Sequence, residues 1–296
     1  MFSVDFLLKG LLAPAATAFA TALVAMRVSR GSRGIGAIAF AAGQALGTAW
    51  FLYGTGDWWP TRNLQWVPWV GIVAAAIGPT AIAMGLAVVE RWMLVILAAL
   101  FAAFVLVPHW PDLWPSRGVS IALFVAVTFA LHRLTDQLTR RTSPRLVVSS
   151  MAATAVTAGL LIAATFSLSL GEAALTTAAA LAGTAIALVI RRDEAAVRGL
   201  VLPYVLSVSG WCYVATIEPT PPLLPLLFIP AASLVLWLTA VGPVSHWSPR
   251  ARWSISLLLL TATLFGLGAW AWFSVDHQAD KNRATGWRMP VVIDVA

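Results

Sequence analysis

The forty residues 69–108, "WVGIVAAAIGPTAIAMGLAVVERWMLVILAALFAAFVLVP", contain one acidic and one basic side chain, Glu90 and Arg91, side by side near the middle. As a single helix rising 1.5 Å per residue they would reach ~60 Å, twice the ~30 Å hydrocarbon thickness of a bilayer. Charged side chains in hydrocarbon are costly, so the chain is predicted to turn back at Glu90–Arg91. The stretch reads as two membrane spans, about 69–89 and 92–108.

Further apolar runs lie on either side: 6–26 and 34–54 before it, then 118–133, 146–168, 172–190, 199–217, 222–243 and 253–274 after it. Most are near the ~20 residues that cross a bilayer as a helix, and 118–133 is short. The predicted fold is therefore all-α, a polytopic bundle of about ten transmembrane helices over 1–275. A polar tail, 276–296, follows on the outer side and is expected to be loosely ordered. Composition agrees: 60% of the 296 residues are hydrophobic and only 10% are charged, against ~25% charged in soluble domains.

The charges test the count. Loops assigned inside hold thirteen arginines: Arg27, Arg30, Arg33, Arg91, Arg133, Arg140, Arg141, Arg145, Arg191, Arg192, Arg198, Arg250 and Arg252. Loops assigned outside hold Arg62 and Arg117. Basic residues favour the cytoplasmic side of short loops, and one span more or fewer would destroy the pattern, so both termini are expected outside. The first run is read as a retained span, because its positive charges follow the apolar stretch, where a signal peptide carries them before it. Asp5 and Lys9, four apart, are expected to form a helical ion pair there.

The net charge of +7 is explained by this topology. No basic stripe with interleaved aromatics lies outside the membrane, so nucleic acid is not an expected partner; the bilayer is. Arginine outnumbers lysine 17 to 2, a bias of GC-rich bacterial genomes, and the membrane is read as a bacterial inner membrane. The single Cys212 can form no internal disulfide.

The outer loop at 56–69, "GDWWPTRNLQWVPW", concentrates tryptophan. With Trp50, Trp110, Trp114, Trp270 and Trp272, its Trp58, Trp59, Trp66 and Trp69 form a belt at headgroup depth, where an apolar ring with one polar N–H is at home. The sharper alternative is a solute platform of Asp57, Trp58, Trp59 and Trp110, continued inward by Gln44, the most polar residue at mid-span. The threading also brings Asp57, His109, Asp112, Glu172, Glu218, Asp276 and His277 to the outer side. Among these, Asp57, His109, Asp112 and His277 have the chemistry of a divalent-metal site or of general acid–base groups.

The central parts of the spans hold no ionisable side chain, which argues against proton pumping and against ion coupling through buried carboxylates. Gln44 is the most polar central residue, with Tyr204, Ser207, Ser209 and several threonines milder; it is expected to hydrogen-bond a neighbouring helix, with a solute contact as the alternative. Gly43 and Gly47 form a GxxxG pair, read first as close packing within the bundle and second as a homodimer face. Pro14, Pro79, Pro203 and Pro230 interrupt or border spans, and "IGPT" around Pro79 is the best candidate for an unwound segment of the kind transporters use. No GxSxG, HExxH, P-loop or CxxC is present, and no cofactor is expected. Three function classes remain: a transporter or permease for an uncharged or amphipathic small solute, an accessory subunit of a membrane complex, and an enzyme acting at the outer face.

Overall fold

The structure, a computed structural model, describes residues 2–28, 34–55, 60–83, 87–111, 113, 115–191, 194–218, 223–241 and 246–284. These form ten helices with no strand among the described residues: α1 Phe6–Val28, α2 Gly34–Thr55, α3 Trp66–Ala83, α4 Val88–Leu106, α5 Arg117–Arg141, α6 Pro144–Thr165, α7 Leu168–Arg191, α8 Glu194–Ile217, α9 Leu224–Val241 and α10 Pro249–Ala284. Among the described residues, eight helices are long and apolar enough to cross a bilayer, and residues 63–77 form a shorter apolar helix. The chain is a multi-pass membrane protein with an all-α helical bundle fold.

Helix α8 runs through the middle and packs against α2 to α7 and α9. Helix α7 lies beside it, flanked by α1, α2 and α6. Small residues make these approaches close. A Cβ on Gly43 would sit 2.6 Å from the Pro14 carbonyl oxygen and 2.8 Å from Ala18 Cβ, and one on Gly47 would sit 3.0 Å from Thr176 Cβ. Gly183 and Gly36 meet the backbone carbonyls of Ala15 and Ala196 with no room for a side chain. The GxxxG face of α2 is thus consumed inside the bundle, by α1 and α7.

Contacts gather the helix ends into two groups. At one end Arg133 stacks on Trp92 at 4.3 Å and Arg141 on Trp237 at 5.3 Å. At the other, the Asn63 amide donates to the Leu106 carbonyl (3.2 Å) and Arg117 donates to the carbonyls of Phe104 and Val107. Phe6 packs on Trp50 with ring centroids 5.7 Å apart. The ion pair between Lys9 and Asp5 forms at 2.8 Å with both side chains exposed.

Helix boundaries differ from the sequence reading in three places. The turn between α3 and α4 comes earlier than Glu90–Arg91. Those residues fall in the first turn of α4, where the Glu90 carboxylate accepts the Ala87 N–H at 2.7 Å and faces the positive end of the helix dipole. Helix α5 continues eight residues past the expected end at 133, because its polar extension is self-supporting. Asp136 and Arg140 pair at 2.8 Å, four apart, while Thr135, Leu138 and Thr139 are buried. Helix α10 runs to Ala284, so the first part of the tail is helical.

Irregular helix also occurs elsewhere than expected. Helix α3 is continuous through Pro79. Instead the first 13 residues of α9, Leu224–Leu236, wind as a 3-10 helix containing Pro225 and Pro230, and α1 opens with a π-helical segment, Phe6–Leu12, just before Pro14. Runs of 3-10 helix beyond 3–4 residues are uncommon and often mark hinges.

Candidate functional site

Gln44 sits at the middle of α2, and its side chain is wholly buried. Ten residues of helix below it and eleven above put it ~15 Å from either end. Both atoms of its amide, Oε1 and Nε2, lack a hydrogen-bond partner. Its own carbonyl is engaged, accepting Thr48 Oγ1 at 2.7 Å. The sequence reading favours an interhelical hydrogen bond for Gln44; the fold supplies none. An unpaired amide in an apolar interior costs about 1–3 kcal/mol, and buried side-chain polar groups are ordinarily paired.

The surroundings are polar in small increments. One turn before Gln44, Phe40 borders Gly71 of α3, whose missing side chain makes room for Ser207 of α8. Ser207 and Ser209 are buried, and their hydroxyl oxygens also lack partners. Next along α8 the pairs are made. Trp211 Nε1 donates to Thr177 Oγ1 of α7 at 2.9 Å, and the Tyr204 hydroxyl donates toward the Pro230 carbonyl (3.3 Å) and Ser233 Oγ (3.4 Å) of α9. Tyr204 therefore ties the central helix to the 3-10 segment. Of these residues the sequence marks Tyr204, Ser207 and Ser209 as mildly polar and misses Trp211, Thr177 and Ser233. The missed signal is a tryptophan inside an apolar span, where its N–H needs a partner.

The other predicted site residues are distributed as follows. His109 and Trp110 follow α4, and both are exposed. Asp57, Trp58, Trp59 and Asp112 lie outside the described residues, as does Trp114; His277 belongs to α10 but its side chain lies outside them. Among the described residues no three His, Cys, Asp or Glu side chains are grouped as a metal would need. The described part of the tryptophan-rich loop caps α3. Gln65 Oε1 accepts the backbone N–H of Thr61 (2.7 Å) and of Arg62 (3.1 Å), and Trp66 meets Phe101 edge to face at 6.3 Å. Trp270 and Trp272 on α10 are about half exposed, as belt residues are. No family model matches the chain, and no curated protein resembles it closely enough to count as a relative.

Proposed function

We propose that this protein is a transporter for an uncharged or amphipathic small solute, with Gln44 as the central contact, and that its arginine-bearing end faces the cytoplasm. The observation that carries the reading is the unpartnered Gln44 amide at mid-bundle. It offers one acceptor and two donors at the depth where transporters place their substrates. The described centre of the bundle adds serine hydroxyls but no charge, which suits a neutral solute. The 3-10 segment of α9, anchored to α8 by Tyr204, supplies irregular helix of the kind that moves in alternating access. Sidedness follows from the arginine excess in the loops assigned inside, thirteen against two in those assigned outside.

Purified protein reconstituted into liposomes tests this by light scattering after osmotic challenge with polyols, sugars, amides and amino alcohols. At least one class is expected to equilibrate faster than in protein-free vesicles, and Gln44→Leu is expected to remove that excess. Equal rates for wild type, Gln44→Leu and empty vesicles across the panel would reject transport of these solutes. A subunit role is the second reading, favoured by the near-complete burial of α8, 89% of whose span lies inside the bundle.

A further inference from the structure

A second site lies at the arginine-bearing end, away from Gln44. A crevice of about 210 Å³ opens between the end of α5, the start of α6, the end of α9 and the start of α10. Arg141, Thr142, Ser143, Thr239, Arg252 and Ser256 supply its polar wall, with Trp253 at the side. We propose that it binds a phosphate group, carried by the headgroup of an anionic lipid in the adjacent leaflet.

Charge argues for an anion. Arg140 is taken up by Asp136, but among the described residues neither Arg141 nor Arg252 has a carboxylate partner. Arg141 is held in place by stacking on Trp237, which leaves the edge of its guanidinium free to donate in the plane. Two helices begin at the crevice, α6 at Pro144 and α10 at Pro249, and their positive ends reinforce the two guanidinium groups. Ser143 precedes α6 without capping it through its side chain, and Thr142 Oγ1 is buried without a partner. Those two hydroxyls are the free donors of the wall. Thr239 and Ser256 bond each other at 2.8 Å and close the back. Arginine forks and hydroxyls are the groups that recognise phosphate, and basic pockets between helices at the cytoplasmic level hold lipid headgroups.

The lipid source follows from what lies beside the crevice. Trp253 is 43% exposed, and Leu257 and Leu258 continue the same helix as an exposed apolar surface. A headgroup in the crevice would have its acyl chains against α10. A soluble phosphate would gain nothing from that surface.

The test uses full-length protein in a neutral detergent with three probes: phosphatidylglycerol, phosphatidylcholine and inorganic phosphate. Retained lipid is read by native mass spectrometry and stabilisation by thermal unfolding. Wild type is expected to retain phosphatidylglycerol in preference to phosphatidylcholine, with a rise in Tm that fades at high salt. Arg141→Gln with Arg252→Gln should weaken retention about tenfold or more, each single change should weaken it less, and Arg140→Gln should leave it unchanged. If the double variant is unstable, the single Arg252→Gln set against Arg140→Gln carries the comparison. Stabilisation by inorganic phosphate that depends on both arginines, without lipid retention, would uphold the phosphate site and reassign its source. Retention of phosphatidylglycerol unaffected by Arg252→Gln, or no difference among the three probes, would overturn the site.

Discussion

Helices α8 and α10 have nearly the same mean hydropathy, 1.6 and 1.7, yet 89% of the first span is buried in the protein and 17% of the second. Hydropathy sends both into the membrane and says nothing about which faces lipid. What separates them is side-chain size and scattered polarity. Helix α8 carries Tyr204, Ser207, Ser209, Cys212 and Thr216 among its buried residues, whereas α10 presents Leu258, Phe265, Trp272 and Phe273 outward. In lipid, association rests on close packing and interhelical hydrogen bonds, since lipid tails solvate leucine as well as a neighbouring helix does. Small and weakly polar residues therefore mark the inside of the bundle.

The glycines offer the strongest way to break that contrast. Gly43→Leu on α2 drives a side chain into the Pro14 carbonyl, while Gly266 on α10 has nothing within 4 Å of an added Cβ. Gly43→Leu is expected to cost about 3 kcal/mol or more, at or above the upper end of overpacking costs, and Gly47→Leu somewhat less. Gly266→Leu should lie within about 0.5 kcal/mol of wild type. Thermal unfolding in detergent measures all three, and equal losses would erase the distinction between α2 and α10.

Tryptophan sharpens the same comparison. Trp211→Phe on α8 removes the donor to Thr177 and opens space at a fully buried site, for an expected loss of about 1–3 kcal/mol. Trp272→Phe on the exposed side of α10 should change unfolding little. Similar losses at both would mean that position 211 is no more constrained than the belt.

Gln44→Leu is expected to go the other way. It replaces an unpaired amide with an apolar side chain of similar size, so the folded protein should gain about 1–2 kcal/mol while losing solute flux. A site that trades stability for function has this signature. Destabilisation by Gln44→Leu would show that the amide is a structural partner after all.

The smallest effect concerns Glu218, just past the end of α8. Burial pushes its carboxyl above the ordinary carboxylate range, with the Arg62 charge pulling it partly back. The folded protein then holds that proton more tightly than the unfolded chain. The resulting stability is present at acidic pH and is lost as pH rises through the raised value. Glu218→Gln should flatten that part of a Tm-against-pH curve, and an unchanged curve would remove Glu218 as its source.

Much of this fold is legible in the sequence because run length and arginine placement are dictated by the bilayer itself. The boundaries that differ lie where polar residues remain helical for local reasons, Glu90 as a cap and Asp136 with Arg140 as a pair on α5. Such pairings arise three or four residues apart and look the same as a loop when only polarity is read. Gln44 is legible as the one mid-span amide. Its lack of a partner is not, because that depends on which side chains α1, α3, α7 and α8, packed against α2, bring to it. The crevice was invisible for the same reason: Arg141 and Arg252 are more than a hundred residues apart and meet through the packing of α9 and α10. Of the span prolines, Pro230 and not Pro79 marks the irregular helix: α3 tolerates a proline near its end, whereas Pro225 and Pro230 lie in the tighter winding of α9.

The most direct measurement is water access at Gln44. In a Cys212→Ala background, which removes the one native thiol, Gln44→Cys and Leu46→Cys are made singly and treated in intact membranes with a sulfonated, membrane-impermeant maleimide. The two positions are two residues apart on α2, one fully buried and the other 41% exposed on the outer surface of the bundle. A transporter predicts that the thiol at position 44 reacts, more slowly than a loop thiol, and is protected by a transported solute, while the thiol at 46 is shielded by lipid. An unreactive thiol at 44, with loop thiols labelled in the same preparation, would contradict the account and leave a solid bundle.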